Sequence, residues 1–417
     1  MLTGLGPVYV EDWLETDNPE LTFVKEAISS MGIAGIEVFD IIEIELGYLF
    51  DVLYTKAFLT YTWSGCILLF ISSFCSFSAL LMILLIVFVK EKSCHCYSNV
   101  DTSISIVLLV GAVVLEFYGI ILLRSSDWPV RIGQNWLPCE IFRRLPWLFE
   151  KHKKRWSCSL GQYSLLASCF NHRTGKLCGV LERLGIDEIL LDRFQHNTFV
   201  EVPVSLKSVI IKYLLVGAIS SISSRGQTAL EQHRCYDGKL KESTKLEFRE
   251  SILKWHIATD ICYHLSDPSI GNSDEEMETS KILSDYMMYL LLMHPSMFLS
   301  PAEQEELDGL LTNQRSTLIK CLKGGRPATN LREACALFRS SERLAEELIN
   351  REDKWKVMQS VWAEMLCYAA IHSDKVYHLR ELRRGGQFLT HLWLLFLLRA
   401  AAAAAVAASF YKSHYHN

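Results

Sequence analysis

Between Lys56 and Lys90 the chain carries no charged side chain for 33 consecutive positions, Ala57–Val89. About 20 apolar residues suffice for a helix to cross the hydrocarbon of a bilayer. This run is longer, so its helix is expected to tilt or to leave the bilayer at its ends. Tyr61 and Trp63 stand where an interfacial aromatic belt would place them. A second run, Thr102–Leu123, holds one charge, Glu116, in 22 residues. Two such runs joined by a short loop predict a transmembrane helical hairpin over 57–123, with spans at about 63–88 and 102–123. A buried helix pair in a large soluble core is the plainer alternative, and a pair of runs this close together argues against it.

A hairpin leaves both flanks on one side of the membrane. Residues 124–156 carry eight basic groups (Arg124, Arg131, Arg143, Arg144, Lys151, Lys153, Lys154, Arg155) against three acidic ones. Lys and Arg are enriched on the cytoplasmic side. A multi-pass membrane protein with both termini cytoplasmic is therefore expected. Within the cytosolic segment 1–56, Ile36, Phe39, Ile42, Leu46, Leu49 and Leu53 recur every three or four residues, with acidic residues largely between them. That spacing predicts an amphipathic helix running into the first span.

The formal charge of −5 argues against a general nucleic-acid binder. Thirteen cysteines, an odd number scattered from Cys66 to Cys367, show no disulfide framework and read as reduced cytosolic thiols. Residues 1–30 contain no apolar stretch of the kind a cleaved signal peptide needs.

Past residue 156 the pattern is helical almost throughout, so the fold class expected is all-α: a hairpin plus a cytosolic helical module over 161–398. Ser205–Ile222 reads as a core helix, Gly226–Glu242 as a loop, and Lys245–Leu265 as a helix with Leu246, Leu253, Ile257, Ile261 and Leu265 on one stripe. Asp267–Glu278 reads as an acidic linker. Lys281–Met293 reads as a helix that stops at His294-Pro295. Ser300-Pro301-Ala302-Glu303 is a helix start, with Ser as N-cap, Pro at N1 and Glu at N3. Leu331–Ile349 and Lys354–His372 complete the module, and no strand-turn-strand signal is found. Leu392–Leu398 is expected to pack onto this module and not to enter the membrane, because Arg399 interrupts the apolar run and alanine adds little drive.

Several ordered stretches resemble the plant proteins of domain of unknown function 4220 that carry a C-terminal domain of unknown function 594. They are Phe50-Asp51-Val52-Leu53-Tyr54-Thr55-Lys56, Thr62-Trp63-Ser64-Gly65, Leu115-Glu116, Arg155-Trp156-Ser157 and Gly161-Gln162-Tyr163. Further on come Trp255-His256-Ile257-Ala258-Thr259-Asp260, Leu283-Ser284-Asp285-Tyr286 with His294-Pro295, and Gly385-Gly386-Gln387-Phe388-Leu389-Thr390. The resemblance covers roughly 36–395, with 245–395 similar to the C-terminal segment. It implies a plant membrane protein with no assigned activity. It also implies a chain truncated at both ends, since such proteins usually carry more hydrophobic helices upstream and lack an Ala-rich tail like 399–417.

Few residues offer chemistry. His256, Asp260 and His264 lie at i, i+4 and i+8 on one helix face, a spacing that presents metal ligands or a His oriented by a carboxylate. Eight residues rise about 12 Å, too far for all three to bind one ion. The plainer reading is that His256 and Asp260 hydrogen-bond inside a packed core. Cys94-His95-Cys96 lacks a second ligand pair at zinc spacing and reads as a loop feature or an acylation site. Glu116 sits within a span, flanked by Ala112 and Gly119, so another helix can approach it closely. The basic, aromatic segment 124–160 suits an anionic membrane surface through Arg143, Arg144, Trp147, Lys151, Lys153, Lys154, Arg155 and Trp156, or is simply a solvated cytoplasmic flank.

No phosphate-binding loop, dinucleotide fingerprint, nucleophile elbow or zinc-protease motif occurs. No cofactor and no nucleic acid are expected. The partners expected are membrane lipids and proteins that bind the helical module. The first functional expectation is a non-enzymatic anchored interaction module. The alternatives are an integral-membrane enzyme using His256 and Asp260, or a fragment of a multi-span transporter-like protein.

Overall fold

The computed structural model describes residues 37–54, 62–90, 99–124, 159–170, 198–216, 224–235, 238–266, 274–300, 302–309, 311, 336–383 and 386–399. It divides into two compact units, Glu43–Arg155 and the remainder of the chain. The first helix, α1 (Glu37–Tyr54), begins in one unit and ends in the other.

In the unit 43–155 two apolar helices, α2 (Trp63–Lys90) and α3 (Asn99–Arg124), pack against each other. Thr62 Oγ1 accepts the Gly65 N–H at 3.1 Å, capping the start of α2. The less exposed positions, Leu69, Ser73, Ser76, Leu80 and Ile83 on α2 and Ile106, Leu109, Ala112, Val113 and Glu116 on α3, recur every three or four residues. That is the seam of a two-helix coil, with small residues letting the backbones approach. The opposite faces are exposed and apolar, including Phe70 (75%), Val107 (70%) and Leu115 (70%).

The second unit is a layer of helices with a small ribbon on top. Strand β1 (Ser159–Gln162) leads into α4 (Leu165–Phe170) and pairs antiparallel with β2 (Thr198–Glu201), Ser159 opposite Glu201. This ribbon joins strands far apart in the chain and is not a strand-turn-strand unit; four-residue strands are too short to show an alternating pattern. Next come α5 (Val204–Val216), α6 (Gln227–Gln232), α7 (Gly238–Ser243), α8 (Phe248–Leu265) and α9 (Asp274–Met293). After a 3-10 turn at Pro295–Met297 follow α10 (302–309), α11 (Ala336–Ile349), α12 (Lys354–His372), α13 (Lys375–Arg383) and α14 (Phe388–Arg399). Helix α8 lies between α11 and α9, α9 lies against α12, and β1 packs on α9.

Two expected boundaries move. The stretch read as a loop, 226–242, contains α6 and most of α7, and the acidic linker gives way to α9 from Asp274 onward. Helix α6 is too short and polar to hold itself. Glu364, a fully buried carboxylate on α12, accepts the backbone N–H groups of Gly226 (2.8 Å), Thr228 (3.2 Å) and Ala229 (2.7 Å), so a neighbouring helix supplies the missing cap. Gly226 adopts φ 104°, and a Cβ there would meet Val361 Cγ1 at 2.9 Å, so this turn requires glycine. The single apolar stripe expected on α8 also fails: Leu265 is 69% exposed, whereas Trp255, Ile257, Ala258 and Cys262 are wholly buried. A helix covered on two sides buries more than one stripe.

Three of the core's large side chains satisfy their polar atoms within it. Trp255 Nε1 donates to Ser243 Oγ (3.0 Å), Trp362 Nε1 to Thr259 Oγ1 (3.1 Å), and Tyr286 Oη accepts the Leu389 N–H (3.1 Å). Ser300 and Glu303 form the expected reciprocal cap, each bond from Ser300 to Glu303 Oε2 being 2.7 Å. Leu392, Leu394, Leu395 and Leu398 are buried within this unit.

Candidate functional site

His256 and Asp260 come together, but not in the hydrogen bond expected between them, because Nε2 is an acceptor already engaged by the Leu165 N–H; two residues of α9 complete the group. His256 Nε2 lies 3.6 Å from Asp260 Oδ2, and His256 Nδ1 lies 3.8 Å from Asp285 Oδ1. Ligand atoms of His256, Asp260 and Asp285 all fall within 4.8 Å of one another. His264, exposed at the end of α8, is not among them. Lys281 and Asp285, an i,i+4 pair on α9, escaped the sequence reading. The available signal was a Lys and an Asp four apart on a helix otherwise apolar along that face.

Hydrogen bonds assign the imidazole its tautomer. The Leu165 backbone N–H donates to His256 Nε2 at 3.1 Å, so that nitrogen is an acceptor. Nδ1 then carries the proton and faces Ser284 Oγ at 2.9 Å. Burial drives His256 down to about 4, Lys281 acting in the same direction and Asp260 opposing it, so the ring is neutral at pH 7. Ser164 Oγ donates to Asp260 Oδ2 at 3.0 Å, and the Tyr163 N–H donates to the Asp285 carbonyl at 3.2 Å. The strap 159–170 is thus tied to both α8 and α9.

Lys281 stands where a metal ion would sit. Its Nζ is 2.8 Å from Asp260 Oδ1 and 2.5 Å from Asp285 Oδ1. Burial would lower the lysine, but the two carboxylates raise it, so it stays charged. Burial would likewise raise Asp260; with His256 neutral, the Lys281 ammonium and the Ser164 hydroxyl bring it below the ordinary carboxylate range. Asp285, the second acid on one ammonium, is pushed up to about 7 by burial and by Asp260, against the pull of Lys281. His256 and Asp260 have no exposed side-chain surface, and Lys281 and Asp285 only 15% and 13%. With Nε2 capped and both carboxylates answered by Lys281, the cluster is built to hold helices together.

A second constellation brings together His233, Asp353 and Ser360. His233 Nε2 is 3.0 Å from Ser360 Oγ, and Nδ1 is 4.0 Å from Asp353 Oδ2. Asp353 is already closed by Arg351 at 2.9 and 3.0 Å, and Ser360 donates back to the Lys356 carbonyl at 2.8 Å. The aspartate does not orient the ring, so no activated nucleophile results.

Glu116 is answered across the two-helix seam by Ser72 Oγ (2.7 Å) and Ser76 Oγ (3.0 Å). Cys94-His95-Cys96 and the membrane-surface candidates Arg143 to Trp156 lie outside the described residues.

These features define an all-α protein with, among the described residues, one apolar stretch of membrane-crossing length, Ile67–Val87, and a helical module locked by a buried ionic cluster. Residues 8–169 match the family described as domain of unknown function (DUF4220), and residues 348–397 match the protein of unknown function, DUF594. The chain therefore carries both of the segments that its sequence resembles, the second over a narrower range than the resemblance drew. The end of the DUF4220 match falls in the strap, in the same compact unit as the DUF594 match. No curated protein and no solved structure matches the chain.

Proposed function

We propose that this chain is a membrane-anchored helical protein whose module serves as a protein-binding scaffold, with α2 and α3 as an intramembrane hairpin. One observation carries the reading: none of the 21-residue stretch Ile67–Val87 is buried inside the protein. A core helix of a soluble protein hides such a face, and exposed apolar patches this large mark a membrane or partner surface. The companion stretch Ser103–Gly119 is shorter, but α3 as a whole has 26 residues, about 39 Å of rise. The one charge of the Ser103–Gly119 stretch, Glu116, finds donors on α2, the arrangement expected of an intramembrane carboxylate. In the module, Lys281 fills the cation position of the His256–Asp260–Asp285 group, which favours a scaffold over a metal or acid–base enzyme. Both flanks of the hairpin lie on the cytoplasmic side in this reading, from the basic excess of 124–156.

Cysteine labelling in intact membranes tests the topology. An impermeant thiol reagent reaches Cys94 from the non-cytosolic side alone if the hairpin is right. Labelling of Cys94 from the cytosolic side of sealed membranes contradicts it.

A further inference from the structure

A cleft of ≈ 330 Å³ opens in the second unit, away from the ionic cluster, between the start of α8, the turn after Pro295 and the end of α12. Its floor is apolar: Phe248, Met297, Phe298 and the ring of Tyr368. Phe248 packs against Phe298 at 5.6 Å and Tyr368 at 4.9 Å between ring centroids, so the walls hold each other in place.

The charges around the cleft are not all matched. Arg249 is answered by Glu247 (3.0 Å) and Glu306 (2.9 Å), and Glu303 is engaged by Ser300 in the helix cap. Arg225 has no carboxylate within ion-pairing distance among the described residues. Its guanidinium lies 5.0 Å from the Tyr368 ring centroid, and Nη1 reaches only the Leu246 carbonyl at 3.4 Å. Stacking on an aromatic ring fixes the guanidinium and leaves donors over for a planar anion.

We propose that this cleft binds a small organic acid, a carboxylate on an apolar body, with Arg225 taking the carboxylate and Phe248, Phe298 and Tyr368 taking the body. A bare inorganic anion leaves the apolar floor unfilled, and a neutral body leaves Arg225 unanswered. The site is independent of the membrane reading, because every wall belongs to the second unit.

The test uses the full chain in lipid nanodiscs with 13C-methyl methionine, the Met297 signal being assigned by Met297→Leu. The probes are 3-phenylpropanoate, its neutral analogue 3-phenylpropan-1-ol, and acetate. The expected result is a saturable shift of the Met297 methyl by 3-phenylpropanoate, half-complete on the order of 1 mM, as befits a ligand of this size. The alcohol and acetate each bind at least about tenfold more weakly, the loss typical of one charge-assisted hydrogen bond or one apolar body. Arg225→Gln weakens the acid to the level of the alcohol, and Arg225→Lys falls between. Equal binding of acid and alcohol, or an unmoved Met297 methyl at saturating acid, overturns the proposal with the wild type alone. Unaltered acid binding by Arg225→Gln overturns the role of Arg225.

Discussion

Ser72 Oγ donates a 2.7 Å hydrogen bond to Glu116 Oε1, linking the one charge of the second apolar run to the first run, 44 residues away in sequence. Ser76 adds a second donor at 3.0 Å. Interhelical bonds of this kind contribute about 0.6 to 2 kcal/mol in membrane proteins. The double variant Ser72→Ala/Ser76→Ala is expected to loosen the helix pair by about 1–2 kcal/mol. Glu116→Leu, which removes the charge along with its need for donors, is expected to be neutral or stabilising. Thermal unfolding in detergent compares the two; a Glu116→Leu variant much less stable than the double serine variant would mean that the carboxylate has another partner.

The Glu364 cap predicts a large local effect. Glu364→Ala leaves the amides of Gly226 and Ala229 without an acceptor inside a buried site, while Thr228 keeps Ser224 Oγ at 3.1 Å. Charge-assisted bonds contribute about 1.5–3 kcal/mol each, not additively, so a loss of about 3 kcal/mol or more is expected. Glu364→Gln, keeping one oxygen, should cost roughly half. Urea unfolding gives both values, and a loss under about 1 kcal/mol for Glu364→Ala would show that α6 does not depend on this carboxylate.

Acid should destabilise the module well above the pH at which ordinary carboxylates titrate. Burial lowers His256, His378 and His391 each to about 4 from an ordinary 6.5. The unfolded chain therefore binds more protons than the native one between these values, and the stability from the neutral rings, complete above 6.5, is lost as pH falls through 4. Asp285 works in the opposite sense: raised to about 7, it favours the native state at low pH, and that contribution is lost as pH rises through 7. Near pH 5 three histidines against one aspartate leave a net uptake of about two protons on unfolding, a slope of about 2 kcal/mol per pH unit. A Tm unchanged between pH 6.5 and 4.5 would contradict the burial of these rings.

Lys281 should be the costly member of the ionic cluster. Lys281→Met leaves Asp260 buried beside a second acid, and breaking a buried pair in this way costs about 3–5 kcal/mol. Asp285→Asn removes the surplus negative charge and should cost far less at pH 8. Because Lys281 holds the cation position, Zn2+ should not raise the Tm of the wild type. A zinc-dependent rise abolished by Asp285→Asn would restore the metal reading.

Much of the helical frame was legible from period alone. Lys354–His372 needed only its apolar repeat, and the Ser300–Glu303 cap only its four-residue pattern, because both are local. The nearness of His256 to Asp260 was equally local, at i,i+4, though the hydrogen bond expected between them is absent. What completed the site was not. Lys281, Asp285 and the Leu165 amide come from two other elements, and their meeting depends on how α8, α9 and the strap pack. The ribbon β1–β2 and the capped helix α6 were missed for the same reason: each is too short to carry a period and is held by distant partners, Tyr289 beneath Gly161 and Glu364 beneath Ala229.

Alkaline carbonate extraction of the full chain, expressed in a eukaryotic cell, tests the anchoring most directly. The two apolar runs with their exposed outer faces predict that the protein stays in the membrane pellet at high pH. They also predict that removing residues 57–123 releases the remainder into the supernatant. Complete release of the intact chain by carbonate would contradict the account.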